Sequence, residues 1–285
     1  MDQCLTLNNG RKLGFAEYGD PNGKAVFHFN GSGGSRLEYP ADQSILSDLG
    51  IRFISTDRPG HGISDQQPER RLLDWPSNIS QLANHLSIEH FYVQGWSAGG
   101  PHALACAYLL PEGVLAGALI SGLAPPDRPH PYEGLPFQNR MLMTVGRSMP
   151  SLVYLLRRMM RPMIMGDPED AGKKLAATFP EVDRQVIEDF GYQKLLVIDI
   201  QEGYRQGWQG PAQDDIIINN PWGFNIEEIK VRIDIWQGGL DKNVPLNQGQ
   251  YQHGLLPNSR LTVLKDQAHV YILSHWREIL GALVE

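Results

Sequence analysis

Short apolar runs recur along the chain as far as Gly122. Each is bounded by glycine, asparagine or proline, and between them lie longer stretches with apolar residues at helical spacing. "CLTL" and "KLGFAEYG" flank the turn Asn8-Asn9-Gly10, and "GDPNGK" (Gly19 to Lys24) precedes "AVFHFN", so a two-stranded hairpin and a third strand are expected. Pro40 to Leu49 reads as a helix, and Ile51 to Thr56 as a strand ending in the turn-rich "DRPGHGIS". Leu72 to Leu86 has helical spacing, and "HFYVQG" (His90 to Gly95) is the next strand. "PHALACAYLL" follows as a helix with Pro101 in its first turn, where the missing N–H costs little, and "GVLAGALISG" (Gly113 to Gly122) contains another buried strand. Strand and helix alternate, which predicts an α/β fold with a mostly parallel sheet covered on both faces.

At Ala124-Pro125-Pro126 the texture changes. From there to Asn225 the chain is rich in proline and methionine, reads as several helices and lacks a clear buried strand. Alternation then resumes with "VRIDIWQGG" (Val231 to Gly239), a helix over Leu246 to Leu255, "RLTVLKD" (Arg260 to Asp266) and a closing helix from Val270 to Val284. The expected organisation is one core domain, 1–124 with 226–285, interrupted between strands of its sheet by an insertion, 125–225. A chain of 285 residues is long enough for that arrangement.

Composition narrows the class without naming the chemistry. With 41% hydrophobic and 20% charged residues the chain reads as globular. A net charge of −7 leaves no basic field for nucleic acid or an anionic membrane, so neither partner is expected; a small-molecule substrate is, and there is room for a homodimer. The start "MDQCLTLNNGRKLGF" has no signal-peptide pattern, and no run approaches the roughly 20 apolar residues of a membrane span, so a cytoplasmic location is expected. Of the two cysteines, Cys106 lies in an apolar helical run, where a buried free thiol is the simpler reading.

The chemistry starts at "VQGWSAGG". Ser97 stands between Gly95 and Gly99, directly after a strand and before a helix, which is the setting of a nucleophile elbow; alone, such a match is weak in a chain with 30 glycines. A serine hydroxyl needs a base and an acid to orient that base. His269, in "LKDQAHVYIL" after the last strand, fits the base, and Asp241, in "GGLDKNVP" after the preceding strand, fits the acid. Asp234 lies inside a strand and Asp266 only three residues from His269, while His102 falls on the helix leaving the elbow, where packing is the better reading. Two oxyanion donors are expected: the Ala98 N–H at the helix start, and the Ser32 N–H in the loop Asn30-Gly31-Ser32-Gly33-Gly34. That loop lacks the Gly-Lys-Ser/Thr ending of a phosphate cradle, and Arg36 stands where a dinucleotide fingerprint needs its third glycine. No metal motif appears, so neither cofactor nor metal is expected.

The ordered set of the Gly31 loop, "GWSAGG", "GGLDKNVP" and "QAHVYIL" resembles the alpha/beta-hydrolase superfamily, and "DRPGHGIS" looks like that family's turn after its fourth strand. "YRQGWQGPAQDD" with "PWGF" is similar to a largely uncharacterised bacterial and fungal subgroup. The resemblance implies an eight-stranded, mostly parallel sheet, a helical cap (lid) after strand six formed by 125–225, and Ser97, Asp241 and His269 as a catalytic triad with Ser32 and Ala98 as oxyanion donors. It departs at Asn30-Gly31, where many members have His-Gly.

For the substrate, seven of the eight methionines fall between Met141 and Met165, interleaved with Arg140, Arg147, Arg157, Arg158 and Arg161. They form either an adaptable apolar surface or ordinary core packing, and the arginines either orient a carboxylate or make a solvated face. Trp96, Trp208 and Trp222 are the candidate substrate-binding residues, with Phe224 beside them. The expected function is a serine hydrolase of a small to medium, apolar carboxylic ester. The same parts would serve an amide, thioester, lactone or carbon–carbon bond, or a slow-turnover ligand-binding or signalling protein.

Overall fold

The computed structural model describes residues 2–285. The chain begins with strands β1 (Asp2–Thr6), β2 (Lys12–Gly19) and β3 (Lys24–Phe29), then helix α1 (Ser44–Asp48), β4 (Ile51–Thr56), α2 (Trp75–His85), β5 (Phe91–Trp96), α3 (Gly100–Leu109) and β6 (Val114–Ile120). Six helices follow without a strand: α4 (Phe137–Ser148), α5 (Pro150–Ile164), α6 (Pro168–Ala176), α7 (Glu181–Asp189), α8 (Gln193–Gly203) and α9 (Gln209–Ile218). The chain closes with β7 (Arg232–Gly238), α10 (Leu246–Leu255), β8 (Ser259–Leu264) and α11 (Ile272–Val284).

All eight strands form one sheet in the order β1-β2-β4-β3-β5-β6-β7-β8. β2 pairs antiparallel with both β1 and β4, and every other pairing is parallel. Burial follows from this topology. β3 and β5 are interior strands covered on both faces and are almost continuously buried, whereas the edge strand β8 alternates between partly buried and exposed positions over its first four residues. Phe27, Phe91, Leu104 and Ile235 belong to the apolar cluster on one face, and Phe53, Ile120, Trp276 and Leu280 to the other.

The structure corrects two element boundaries. The helix expected over Pro40 to Leu49 is only Ser44–Asp48, because Asp42 Oδ1 accepts from the Ser44 N–H (3.0 Å) and hydroxyl (2.6 Å) and holds the preceding residues in a turn. The closing helix begins at Ile272 and is interrupted at His275, whose φ of −120° and ψ of 21° are not helical.

In the insertion, α6 is capped by a side chain. Asp167 accepts from the Glu169 and Asp170 N–H groups, Pro168 follows it, and Lys173 and Lys174 occupy the last turn. α9 is packed into the body of the fold: Ile217 and the nearby Trp222 join the apolar cluster containing Leu72 and Trp75. Six of the methionines, Met141, Met149, Met159, Met160, Met163 and Met165, are exposed, so they are not the core of the inserted helices. Among the described residues no helix is long and apolar enough to cross a membrane.

Candidate active site

β5 delivers Ser97 onto a turn with φ of +52°, a left-handed conformation that side chains rarely adopt. The flanking glycines permit it. A Cβ on Gly95 would strike the Gly99 carbonyl, and one on Gly99 would strike the Phe29 carbonyl at the end of β3. Strand and helix therefore cross at backbone contact, and α3 starts at Gly100 with Ala98 buried in the turn leading into it. N–H groups at such a start have no partner within the helix.

The loops after β7 and β8 meet above this turn. A Cβ on Gly238 would strike the Ala268 carbonyl, so the glycine lets the Asp241 loop reach the His269 loop. His269 Nε2 lies 3.1 Å from Ser97 Oγ, and His269 Nδ1 lies 2.7 Å from Asp241 Oδ2. Asp241 Oδ1 accepts from the Asn243 (2.8 Å) and Val244 (2.9 Å) N–H groups, which fixes the carboxylate toward the imidazole. Burial of His269 disfavours its charged form, but the Asp241 carboxylate and its hydrogen bond outweigh that, with a further contribution from Asp183, and its pKa is raised. The arrangement can take a proton from Ser97 and stabilise the resulting imidazolium.

Residues outside the sequence motifs brace these loops. Asp183 of α7 accepts from the backbone N–H groups of both His269 and Val270 at 2.9 Å, and the Trp96 indole N–H donates to the His269 carbonyl (3.2 Å). In the glycine loop the Gly31 N–H donates to Glu38 Oε2 (3.2 Å), and Glu38 Oε1 is 2.6 Å from His28 Nε2. Arg58, from the turn after β4, donates to the carbonyls of Asn30 (2.7 Å) and Gly31 (2.9 Å), while its Nε pairs with Asp214 of α9. Arg70 pairs with the same carboxylate. Because a peptide group is planar and trans, holding the Gly31 carbonyl also sets the direction of the Ser32 N–H. Asn30 donates from its side chain to the Thr56 carbonyl (3.0 Å).

Ser97, His269, Trp96 and Ser32 line one cavity of about 290 Å³, with Leu175, Phe179, Leu196 and Ile200 from the insertion facing them. Glu38 and Asp199 line it as well. Asp199 accepts from the Ser35 N–H (2.8 Å) and hydroxyl (2.7 Å), and burial, with the charge of Glu38, pushes its carboxyl pKa well up.

Two expected substrate-binding residues do not line this cavity. Trp208 lies under the Arg158 guanidinium, 5.4 Å from its ring centroid, and Trp222 is buried in the core with its indole N–H on the Ile218 carbonyl (3.1 Å). Phe224 stacks on Tyr108 at 4.9 Å. His102 packs against Trp75 with Nδ1 3.0 Å from the Ala98 carbonyl, and burial lowers its pKa to about 3. Among the described residues no group of three or more His, Cys, Asp or Glu side chains is placed to share a metal ion.

Sequence reasoning missed Asp183, Asp199, Arg58 and Asp214. Their signal is charge: they are ionisable residues that the fold buries.

Comparisons with known proteins agree with the fold. The family model described as alpha/beta hydrolase fold matches residues 24–275. A probable proline iminopeptidase from Leptolyngbya boryana is 32% identical over 113 residues, 38% of this chain and 34% of that protein, so the match spans about a third of the relative. A hydrolase from Pseudomonas aeruginosa PA01 superposes with a TM-score of 0.72 at 14% identity over 99% of this chain and 98% of its own. An esterase from Exiguobacterium antarcticum does so with a TM-score of 0.68 at 19% identity, over 100% and 98%. At these identities the structural likeness is one of fold.

Proposed function

This chain belongs to the alpha/beta hydrolase fold family, and we propose that it is a serine hydrolase cleaving a small to medium, apolar carboxylic ester through an acyl-enzyme. The observation that carries the reading is the unbroken hydrogen-bond line from Ser97 Oγ through His269 to Asp241, starting from a serine held in a strained turn. In the proposed cycle His269 Nε2 takes the Ser97 proton as Oγ attacks the ester carbonyl, and Asp241 stabilises the imidazolium. The Ala98 and Ser32 N–H groups receive the oxyanion. The imidazolium then protonates the departing alcohol, and water, deprotonated by the same histidine, releases the acid.

The apolar side chains contributed by α6, α8 and the segment between α6 and α7 support an apolar ester, and they support reading 125–225 as a cap over the site. The Exiguobacterium antarcticum esterase is consistent with this choice among the reactions the fold hosts.

Labelling with a fluorophosphonate, alongside turnover of a p-nitrophenyl ester, tests the proposal. The wild type should label and turn over. Ser97→Ala should do neither, with turnover lower by on the order of 10⁴-fold or more at unchanged thermal stability. A folded wild type that does not label overturns it.

A further inference from the structure

The cavity at Ser97 does not end at its own wall. Ser32, Leu175 and Ile200 line it and also line a second cavity of about 200 Å³, so the two adjoin across these three side chains. Beyond them the second space is bounded by Met160, Met163 and Ile164 of α5, Ala171 of α6 and Val197 of α8. This is an apolar slot inside the insertion, with exposed methionines along its solvent side.

Of its polar groups, Arg157, Tyr204, Ser32 and Thr178 are already committed to protein partners. Arg157 donates from Nε to Asp215 (2.6 Å), from Nη1 to the Tyr204 hydroxyl (2.7 Å), and from Nη2 to Ser32 Oγ and Asp215 Oδ1 (both 2.8 Å). The guanidinium is thus a structural tie between α5, α9 and the glycine loop, and its charge is matched by Asp215. Lys174 is exposed, where its ammonium stays hydrated. At the Ser97 end a Cβ on Gly34 would lie 2.8 Å from Asp199 Oδ2 and 3.3 Å from Glu38 Oε2, so carboxyl oxygens already occupy that side. The described residues lining the Ser97 cavity include no lysine or arginine, so an anionic substrate group would meet no cation there.

We propose that this slot receives the hydrocarbon chain of the ester, and that the protein prefers esters whose uncharged chain is long enough to pass Leu175 and Ile200 into the space beside Val197. The inference rests on reading Ser97 as the nucleophile. Each methylene moved from water into the slot should raise kcat/KM roughly fourfold until the slot is full. The rim methionines, unbranched and flexible, can close along such a chain.

The test uses p-nitrophenyl esters from acetyl to decanoyl, a parallel series of acetates of alcohols of rising length, and an acyl ester whose chain ends in a carboxylate. The proteins are the wild type, Ile164→Trp, which fills the slot from its half-buried side, and Ala171→Leu, which fills it from α6. Ser97 labelling by a small fluorophosphonate is measured first on each. The readout is the ratio of kcat/KM for long and short esters within one preparation, so a loss of active protein cancels. The wild type should show a rising ratio in one of the two series, and both variants should lower that ratio at least tenfold. The carboxylate-ended ester should be poorer than its neutral counterpart. If Ser97 labels but neither series rises, if the variants keep the wild-type ratio, or if the carboxylate-ended ester is preferred, the slot proposal is overturned while the hydrolase reading stands. If wild-type Ser97 does not label, the hydrolase reading fails and the slot proposal with it.

Discussion

Arg58 is buried, and its guanidinium meets two carbonyls of the glycine loop on one side and the Asp214 carboxylate on the other. Only a planar fork with several fixed donors spans these partners. Arg58→Ala is expected to lower kcat on the order of 10²-fold, because the Ser32 N–H loses its fixed direction, while KM changes little. It should also cost about 3–5 kcal/mol of stability by breaking a buried ion pair. Arg58→Lys restores a charge without the fork, so it should recover stability more than kcat. Steady-state kinetics and denaturant unfolding of both variants check this, and equal recovery of the two quantities would remove the positioning role. None of this was legible in "DRPGHGIS", because the partners at positions 30, 31 and 214 come together only in the folded chain.

α7 reaches into the site through Asp183, which ties the backbone at His269 and Val270 to the insertion. Burial first, then the charge of Asp241, raises its carboxyl pKa, while the two N–H groups and His269 act in the opposite direction. The charge of Asp183 in turn contributes to the raised pKa of His269. Only neutral imidazole accepts the serine proton, so kcat/KM should fall as pH drops through a pKa above the ordinary 6.5. Asp183→Asn keeps an acceptor oxygen but removes the charge, and should move that acid limb to lower pH with a small loss of kcat. Asp183→Ala leaves two buried N–H groups unpaired, and should cost about 2–5 kcal/mol and lower kcat as well. pH–rate profiles and unfolding curves distinguish the variants, and an unmoved limb in Asp183→Asn would exclude the electrostatic part. The elements themselves were easier to read than this contact. Continuous apolar runs mark buried parallel strands, whereas the helix expected from Pro40 shortened because Asp42 forms a turn with Ser44.

For the whole molecule, acid stability reflects groups that act in opposite directions: histidines that the fold buries uncharged, and the Asp183 and Asp199 carboxyls, whose pKa burial raises so that the folded chain holds their protons more readily than the unfolded one. Burial lowers the pKa of both His61 and His102 to about 3 from an ordinary 6.5. Between those values the unfolded chain binds protons that the folded one refuses. The contribution of each histidine to stability should therefore fall as pH drops from about 6.5 toward 3, by up to about 1.4 kcal/mol per pH unit, while the raised carboxyls act in the opposite direction. Asp214 behaves differently. Burial opposes its charge, but Arg58 and Arg70 outweigh burial and hold its pKa well below the ordinary 3.8, so its contribution is present above that value and lost only at lower pH. Urea unfolding across this range measures the sum, and His102→Phe should gain stability relative to the wild type as pH falls; a difference between the two that stays constant across the range would rule out His102 as a source.

By itself the sequence determined the alternation of strands and helices and the helical stretch between β6 and β7, and it singled out Ser97, Asp241 and His269, which the fold joins by hydrogen bonds. Periodicity and glycine at tight crossings are local properties, and a residue's neighbours in the chain suffice to express them. Tertiary structure alone decided the rest. It buried Trp222 in the core instead of the cavity, turned Arg58 back onto the glycine loop, and brought Asp183, Leu175 and Ile200 over Ser97 from the insertion. The contacts of Arg58 with the glycine loop and of Asp183 with His269 join residues 27 and 86 positions apart, and their worth depends on burial, which exists only once the chain has closed around them.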